Sequence, residues 1–478
     1  MREELIRELR SIVGREGLIT DPAARFAYES DGLTLERCLP ELVLLPRDTD
    51  QTARVMRVLA RDGVPIVPRG AGTGLSGGAT PVVGGVTVAT TRMRDVLEID
   101  VENRLARVQA GVVNLALGRA LAPHGLFYAP DPSSQAACTL GGNVAENSGG
   151  PHCFKYGSTT RHVEGLVIVT AEGEVLDLSR AGPDPEGYDL IGLFVGSEGM
   201  FGIATEITVR LLPLPAVVET LLAVFPELDA ACDSVTEIIA ARLEPSALEI
   251  LDELTIEAVE ASVYAAGYPK GARAVLLVEA EGSDVEVKET VTELVRILER
   301  HGCMDLRRAR DGAQRARLWA GRKGAFGAMG RIAPDLYVAD VVAPRTKLRQ
   351  IVRRATDICA ERGLRLANVF HAGDGNLHPN ISYDRRDADE VARVLEAGRL
   401  IMQECVAAGG SLSGEHGIGL EKRAAMELLF APADLEAMAC VREALDPAGR
   451  MNPGKVLPVR GCREARTRAL PVPRETTS

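Results

Sequence analysis

The sequence predicts an α+β protein built from two domains, and three observations carry that reading. Short β-type runs alternate with glycine-dense turns from Leu42 to about residue 211. Character changes at Pro213 and Pro215, beyond which long amphipathic helices are interspersed with single strands. The chain has 478 residues, 46% apolar and 26% charged, an ordinary composition for a folded chain of two or three domains. The divisions fall at 1–215, at 216–458 with the last part returning to the first domain, and at 459–478, a charged, proline-containing tail expected to be disordered.

Taken in order, residues 1–14 mix Arg and Glu on a helical period and lack the apolar core of a signal peptide. Asp48 with Gln51 forms an N-terminal helix box, and Val55, Met56 and Leu59 continue the period until Gly63 stops it. Strands are expected at 64–68, 86–90, 106–109, 166–170, 175–178 and 203–211. In the second domain, helices are expected at 228–243 and 285–300 and strands at 274–279, 365–370 and 380–383.

Composition removes several function classes. A net charge of −12 disfavours nucleic acid and anionic membrane surfaces as partners. None of the nine cysteines forms a C-x-x-C pair, which excludes a zinc ribbon or an iron–sulphur ladder and fits reduced thiols in a cytoplasm. No run of 18 apolar residues exists to span a membrane.

The glycine-rich segment Pro68, Arg69, Gly70, Ala71, Gly72, Thr73, Gly74, Leu75, Ser76, Gly77 contains a G-x-G-x-x-G match. A dinucleotide fingerprint needs a helix to open at the last glycine. Here Thr80, Pro81 and two further glycines follow, so that reading fails. The loop can still cradle phosphate through successive backbone N–H groups, with Thr73 and Ser76 adding hydroxyl donors. The plain alternative is a tight turn. A second dense region, 129–165, includes Pro130, Asp131, Ser134, Gly141, Gly142, Asn143, Asn147 and Gly150; a third, 196–203, includes Glu198, Gly202 and Ile203. Such backbone suits close approach to a large flat ligand and a diphosphate.

The second domain carries the reactive groups. His371 and His378 flank a Gly-Asp-Gly turn, and Glu415 and His416 lie together between glycines. Seven residues apart on a straight strand, the two histidines would face opposite sides, but the turn can bring both imidazoles to one point. Three of the chain's seven histidines fall in these two loops. Two imidazoles and a carboxylate suit a divalent ion, zinc or manganese, with positions left open for substrate. Such an ion on the oxygens of a 2-hydroxy acid would lower the hydroxyl pKa, and a free imidazole could take the proton. His416 is the better base because Glu415 serves as ligand. Arg322 can grip a carboxylate with two prongs, or it is a solvated surface arginine; Trp319, the single tryptophan, reads as a core filler.

The stretches PRGAGTGLSGGA, PDPSSQAACTLGGNVAENSGG and GSEGMFGIATEIT resemble, in order, the FAD-binding domain of the vanillyl-alcohol-oxidase type, over residues 40–215. The resemblance implies a two-subdomain FAD-binding domain with an α+β substrate cap. It puts the FAD diphosphate on 70–77, the isoalloxazine along 130–150 and residues 196–203 near the adenine end. The first loop lacks the histidine through which some members attach FAD, so the expectation is non-covalent FAD. The WAGRK and GRIAPD motifs with the two histidine loops resemble the FAD-linked D-2-hydroxy-acid dehydrogenases, whose members include D-lactate dehydrogenase and the FAD subunit of glycolate oxidase. By that resemblance His371, His378 and Glu415 are metal ligands, His416 is the catalytic histidine, Arg322 binds the substrate carboxylate and Asn380 contacts substrate.

Members acting on dicarboxylic hydroxy acids carry a lysine and a threonine where this chain has Val338 and Phe326, which points to a short monocarboxylate. The expected reaction is therefore oxidation of glycolate or D-lactate, with metal assistance and hydride transfer to flavin N5. Electrons would pass to a partner subunit or a quinone, the protein being cytoplasmic and at most peripheral to a membrane through that partner. Other readings stay open: D-2-hydroxyglutarate as substrate, a flavoprotein subunit without catalysis, or a metallohydrolase whose glycine-rich loops are structural.

Overall fold

A computed structural model describes residues 1–179 and 187–458, so the tail expected after residue 458 lies outside the described residues. In the first subdomain, Leu42–Leu44 and Ile66–Arg69 both run parallel to Val86–Ala89, and Leu18–Ile19 closes the other edge antiparallel to Leu42–Leu44. Parallel neighbours require a crossover, which helix Thr49–Arg61 supplies. The Asp48 carboxylate accepts from the Gln51 N–H at 2.8 Å, as the box in the sequence anticipates. Val55, Met56 and Leu59 are fully buried against Leu5 and Leu9 of helix Glu3–Val13. The strand expected at 64–68 begins later, at Ile66, because the Val64 N–H turns back to the Leu59 carbonyl at 3.0 Å and ends the helix.

Five antiparallel strands form the second subdomain, in the order Val96–Asp100, Leu105–Gln109, Ile203–Arg210, Val163–Val169, Val175–Asp177. Helix Leu140–Glu146, absent from the sequence reading, packs Leu140 and Val144 beside Ile207. Gly141 permits the approach, since a Cβ there would sit 2.7 Å from the Ala110 side chain and 3.0 Å from its carbonyl. The glycines that obscured the helix are thus what lets it dock.

The second domain is an antiparallel sheet running Asp305–Arg308, Val217–Phe225, Ala274–Gly282, Ala247–Asp252, Arg365–His371 and on to Asn376–Leu377 and Val341–Val342. Pro379–Tyr383 also pairs with Arg365–His371 and carries Asp335–Val338 at its far side. Helices Leu228–Ala240, Asp284–Arg300, Leu348–Glu361 and Ala388–Ala407 cover one face. Helices Glu253–Glu260 and Gly312–Met329 cover part of the other. The chain then comes back to the first domain: the Ile66 N–H donates to the Arg450 carbonyl at 2.8 Å, the Asn452 N–H donates to the Ile66 carbonyl at 2.7 Å, and Met451 is buried in the first subdomain's core.

Candidate active site

A cavity of about 520 Å³ runs between the domains, with the first glycine-rich loop at one end and the histidine loops at the other. Pro68, Arg69, Gly70, Ala71, Gly72, Thr73, Gly74 and Leu75 line it, as do Ser134, Gly141, Gly142, Asn143, Glu198, Gly202 and Ile203. The remaining residues expected at the cofactor are outside its lining. Backbone atoms of Ser76 hold the returning chain at Leu420, with Gly77 beside them. The Pro130 carbonyl accepts from Asn114, Asn147 caps helix Leu140–Glu146 in the left-handed region, and Gly150 packs on Asp131. The Asp131 carboxylate pairs with His152 Nδ1 and Lys323 Nζ, both at 2.9 Å. Arg69 lines the cavity, yet its guanidinium serves the fold by donating to the Ser30 and Ala27 carbonyls.

At the other end, strand Arg365–His371 turns through 372–375 and returns as Asn376–Leu377, so His371 sits opposite Asn376 and His378 follows. Gly375 makes this turn possible: its φ is 78°, and a Cβ would meet the Ala343 carbonyl at 2.3 Å. The two imidazole centroids are 5.1 Å apart. Glu415 Oε1 lies 3.0 Å from His371 Nε2 and 3.4 Å from His378 Nε2, and the three ligand atoms fall within 4.8 Å of one another. His378 Nε2 is buried without a hydrogen bond. An unpaired buried nitrogen among these donors fits a divalent cation.

His416 lines the cavity, stacked on His378 with centroids 4.8 Å apart, its Nδ1 buried and unpaired. Burial pushes this imidazole down to about 4, with His378 and Lys422 adding to the effect against Asp340. Burial would raise Glu415, but His371 and His378 outweigh it and hold the carboxyl down at about 2. Asp340 organises the loop: its Oδ2 accepts from the Gly414 and His416 N–H groups at 3.0 and 3.1 Å, from Ser413 Oγ at 2.5 Å and from Lys422 Nζ at 3.3 Å. Against the cost of burial, Lys422 and the imidazoles keep Asp340 far below the usual carboxylate range.

Arg322 also lines the cavity and is 4% exposed, so the solvated-surface alternative is overturned. It descends from helix Gly312–Met329 and donates from Nε to Glu249 Oε2 at 2.5 Å; Glu249 Oε1 lies 2.8 Å from His371 Nδ1. Asn380 lines the same region and donates to the His378 carbonyl at 2.5 Å. Val338 and Phe326 face the cavity with Tyr264 and Val369. The sequence reading missed Glu249, whose one signal was a lone acid inside an apolar strand, and gave Asp340 no role. It gave no signal at all for Tyr264. Trp319 fills core and also donates to Glu279 Oε2 at 2.7 Å.

Residues 214–456 match the FAD-linked oxidases' C-terminal domain, and residues 40–179 match an FAD-binding domain. The chain belongs to the FAD-linked oxidases, and it is an FAD-linked oxidoreductase by family. It is 47% identical over 458 residues to glycolate oxidase subunit GlcD of Escherichia coli (strain K12), covering 96% of this chain and 91% of that protein. It is 38% identical to GlcD of Bacillus subtilis (strain 168), covering 98% of each, and 32% identical to a probable mitochondrial D-lactate dehydrogenase of Danio rerio, covering 95% and 92%. Among solved structures, 4-ethylphenol oxidase from Gulosibacter chungangensis shares the fold with a TM-score of 0.80 at 20% identity, covering 96% of this chain and 98% of that one. Substrate-bound p-cresol methylhydroxylase does so with a TM-score of 0.82 at 15% identity, covering 96% and 97%. The fold is therefore the vanillyl-alcohol-oxidase-type FAD-binding domain with an α+β second domain. The first two glycine-rich segments fall within the FAD-binding match at residues 40–179, which sets aside the hydrolase reading in which they were merely structural.

Proposed function

We propose that this chain oxidises a short D-2-hydroxy acid, glycolate or D-lactate, to the 2-keto acid. The observation that carries the reading is the convergence of Arg322, His378, Asn380, Glu415 and His416 on the cavity whose other end is the glycine-rich loop. The names of the relatives, glycolate oxidase subunit and D-lactate dehydrogenase, support the same substrate class. When bound, non-covalent FAD supplies a two-electron acceptor at N5, and a zinc or manganese ion held by His371, His378 and Glu415 supplies a Lewis acid.

The chain's own groups do the rest. Arg322 uses Nε on Glu249 and leaves NH1, which meets no acceptor among the described residues, for the substrate carboxylate. His416, which lines the cavity, takes the hydroxyl proton at a ring nitrogen, and FAD, when bound, would supply the acceptor for the C2 hydrogen and its electron pair. Asn380 orients the substrate from the same wall. Lys323, which lines the cavity beside Arg322, is held by the Asp131 carboxylate at 2.9 Å, and Tyr264, Phe326, Val338 and Val369 add no further cation for a distal carboxylate. Residues 1–215 act as the cofactor domain and 216–458 as the substrate cap. Electrons leave to a partner protein or a quinone, a reading supported by two relatives being named as subunits.

A substrate panel with a dye acceptor tests the specificity. Glycolate or D-lactate is expected to give the highest kcat/KM, with L-lactate and D-2-hydroxyglutarate far below. D-2-hydroxyglutarate as the best substrate would overturn the monocarboxylate reading.

A further inference from the structure

Glu249 lies on strand Ala247–Asp252, directly opposite His371 in the antiparallel register. Directly opposed residues share a sheet face. Leu248 and Ile250 point into the core beneath the large helical layer, whereas Ala247 and Leu251 point with Glu249 toward helix Gly312–Met329. Trp319, Arg322, Ala325 and Met329 recur on that helix's buried side, so Arg322 arrives over Glu249 from above. The result is a fully buried carboxylate with one oxygen on each of two neighbours: Oε2 on Arg322 Nε at 2.5 Å and Oε1 on His371 Nδ1 at 2.8 Å.

This arrangement decides a tautomer. His371 Nδ1 also lies 3.3 Å from Arg322 NH2, a group that can only donate. A carboxylate can only accept, and it is the nearer neighbour. The Nδ1 proton therefore belongs to the Glu249 contact, and Nε2, 3.0 Å from Glu415, would turn its lone pair to a cation held between the two. Without Glu249, Nδ1 would accept from Arg322 and the proton would move to Nε2, where it blocks a metal bond. The same loss would release Arg322 from the orientation that presents NH1 to the cavity.

We infer that Glu249 is the positioning residue that couples the metal site to the carboxylate clamp, setting the His371 tautomer with one oxygen and the Arg322 orientation with the other. The inference rests on the proposed hydroxy-acid oxidation. Its Zn²⁺ readout is independent of turnover, so the two fail separately. Glu249 does not line the cavity, so its loss should leave FAD binding intact.

The test is Glu249→Gln in the full-length flavoprotein, because glutamine offers one acceptor and one donor and can satisfy only one neighbour. Zn²⁺ affinity is measured by competition with a chromogenic chelator, FAD content by visible absorbance, and KM and kcat with saturating metal. The expected result is Zn²⁺ binding weakened about 10- to 100-fold and KM raised more than kcat falls, at full FAD occupancy. Glu249→Asp, which keeps the charge and withdraws it by one methylene, should bind Zn²⁺ with intermediate affinity; it gives the same comparison if the amide variant does not fold. Wild-type Zn²⁺ affinity and KM in either variant would overturn the inference. So would a wild-type protein that is reduced by glycolate or D-lactate yet binds neither Zn²⁺ nor Mn²⁺, an outcome that leaves the oxidation reading intact.

Discussion

His416 and Asp340 sit on either side of one loop and divide its work. Asp340 gathers the loop's N–H groups onto one carboxylate, and His416 is thereby presented to the cavity. Replacing His416 with Gln should lower kcat about 100- to 10,000-fold while the flavin spectrum and Zn²⁺ binding persist; unchanged kcat would remove it as the base. Asp340→Asn has a different consequence, because Lys422 and Asp340 are both fully buried and 3.3 Å apart. Breaking that pair leaves the buried Lys422 cation with Glu421 alone, at 3.5 Å, and should cost at most about 3–5 kcal/mol, read as a lowered midpoint in denaturant unfolding. His371, His378, Glu415, His416, Arg322 and Asn380 were legible because polar residues in glycine-flanked or helical motifs stand out along the chain. Glu249 and the role of Asp340 were not, since their partners come from strands and loops 73 to 122 residues away.

Among the elements, the seam between the domains is held by a buried ionic chain. Asp131 and Lys323 pair at 2.9 Å, His152 bridges Asp131 and Glu279, and Glu279 also accepts from Thr220, Arg315 and Trp319. Burial works against charge on His152, but Asp131 and Glu279 outweigh it and hold the imidazole up at about 10, above its ordinary 6.5. A raised pKa stabilises the fold fully below 6.5, and that contribution fades as pH climbs from 6.5 to about 10. Unfolding free energy should therefore fall across this alkaline window in the wild type, and His152→Gln should show a smaller slope there; equal slopes would contradict the assignment. The helices with caps and clean periods, such as Thr49–Arg61 and Asp284–Arg300, were readable in advance. Gly312–Met329 was not, because Gly321, Gly324 and Gly327 interrupt its period where Tyr264 and Tyr268 pack.

On the scale of the molecule, two domains enclose one cavity, and the returning segment at Asn452 ties the end of the chain to the first subdomain. No helix among the described residues is long and apolar enough to cross a membrane. Tyr264, Phe326, Val338 and Val369 line the histidine end of the cavity and Lys323 beside them is engaged by Asp131, so a second carboxylate would be desolvated without a free cation to meet it. D-2-hydroxyglutarate should then be at least about 100-fold poorer in kcat/KM than D-lactate or glycolate. The most direct measurement is the visible spectrum of the purified protein under anaerobic conditions, recorded before and after either acid, with and without prior chelation. The account predicts a flavin spectrum that bleaches with one acid and fails to bleach once the metal is removed. A protein that keeps its full flavin absorbance in the presence of both acids, metal supplied, would contradict it.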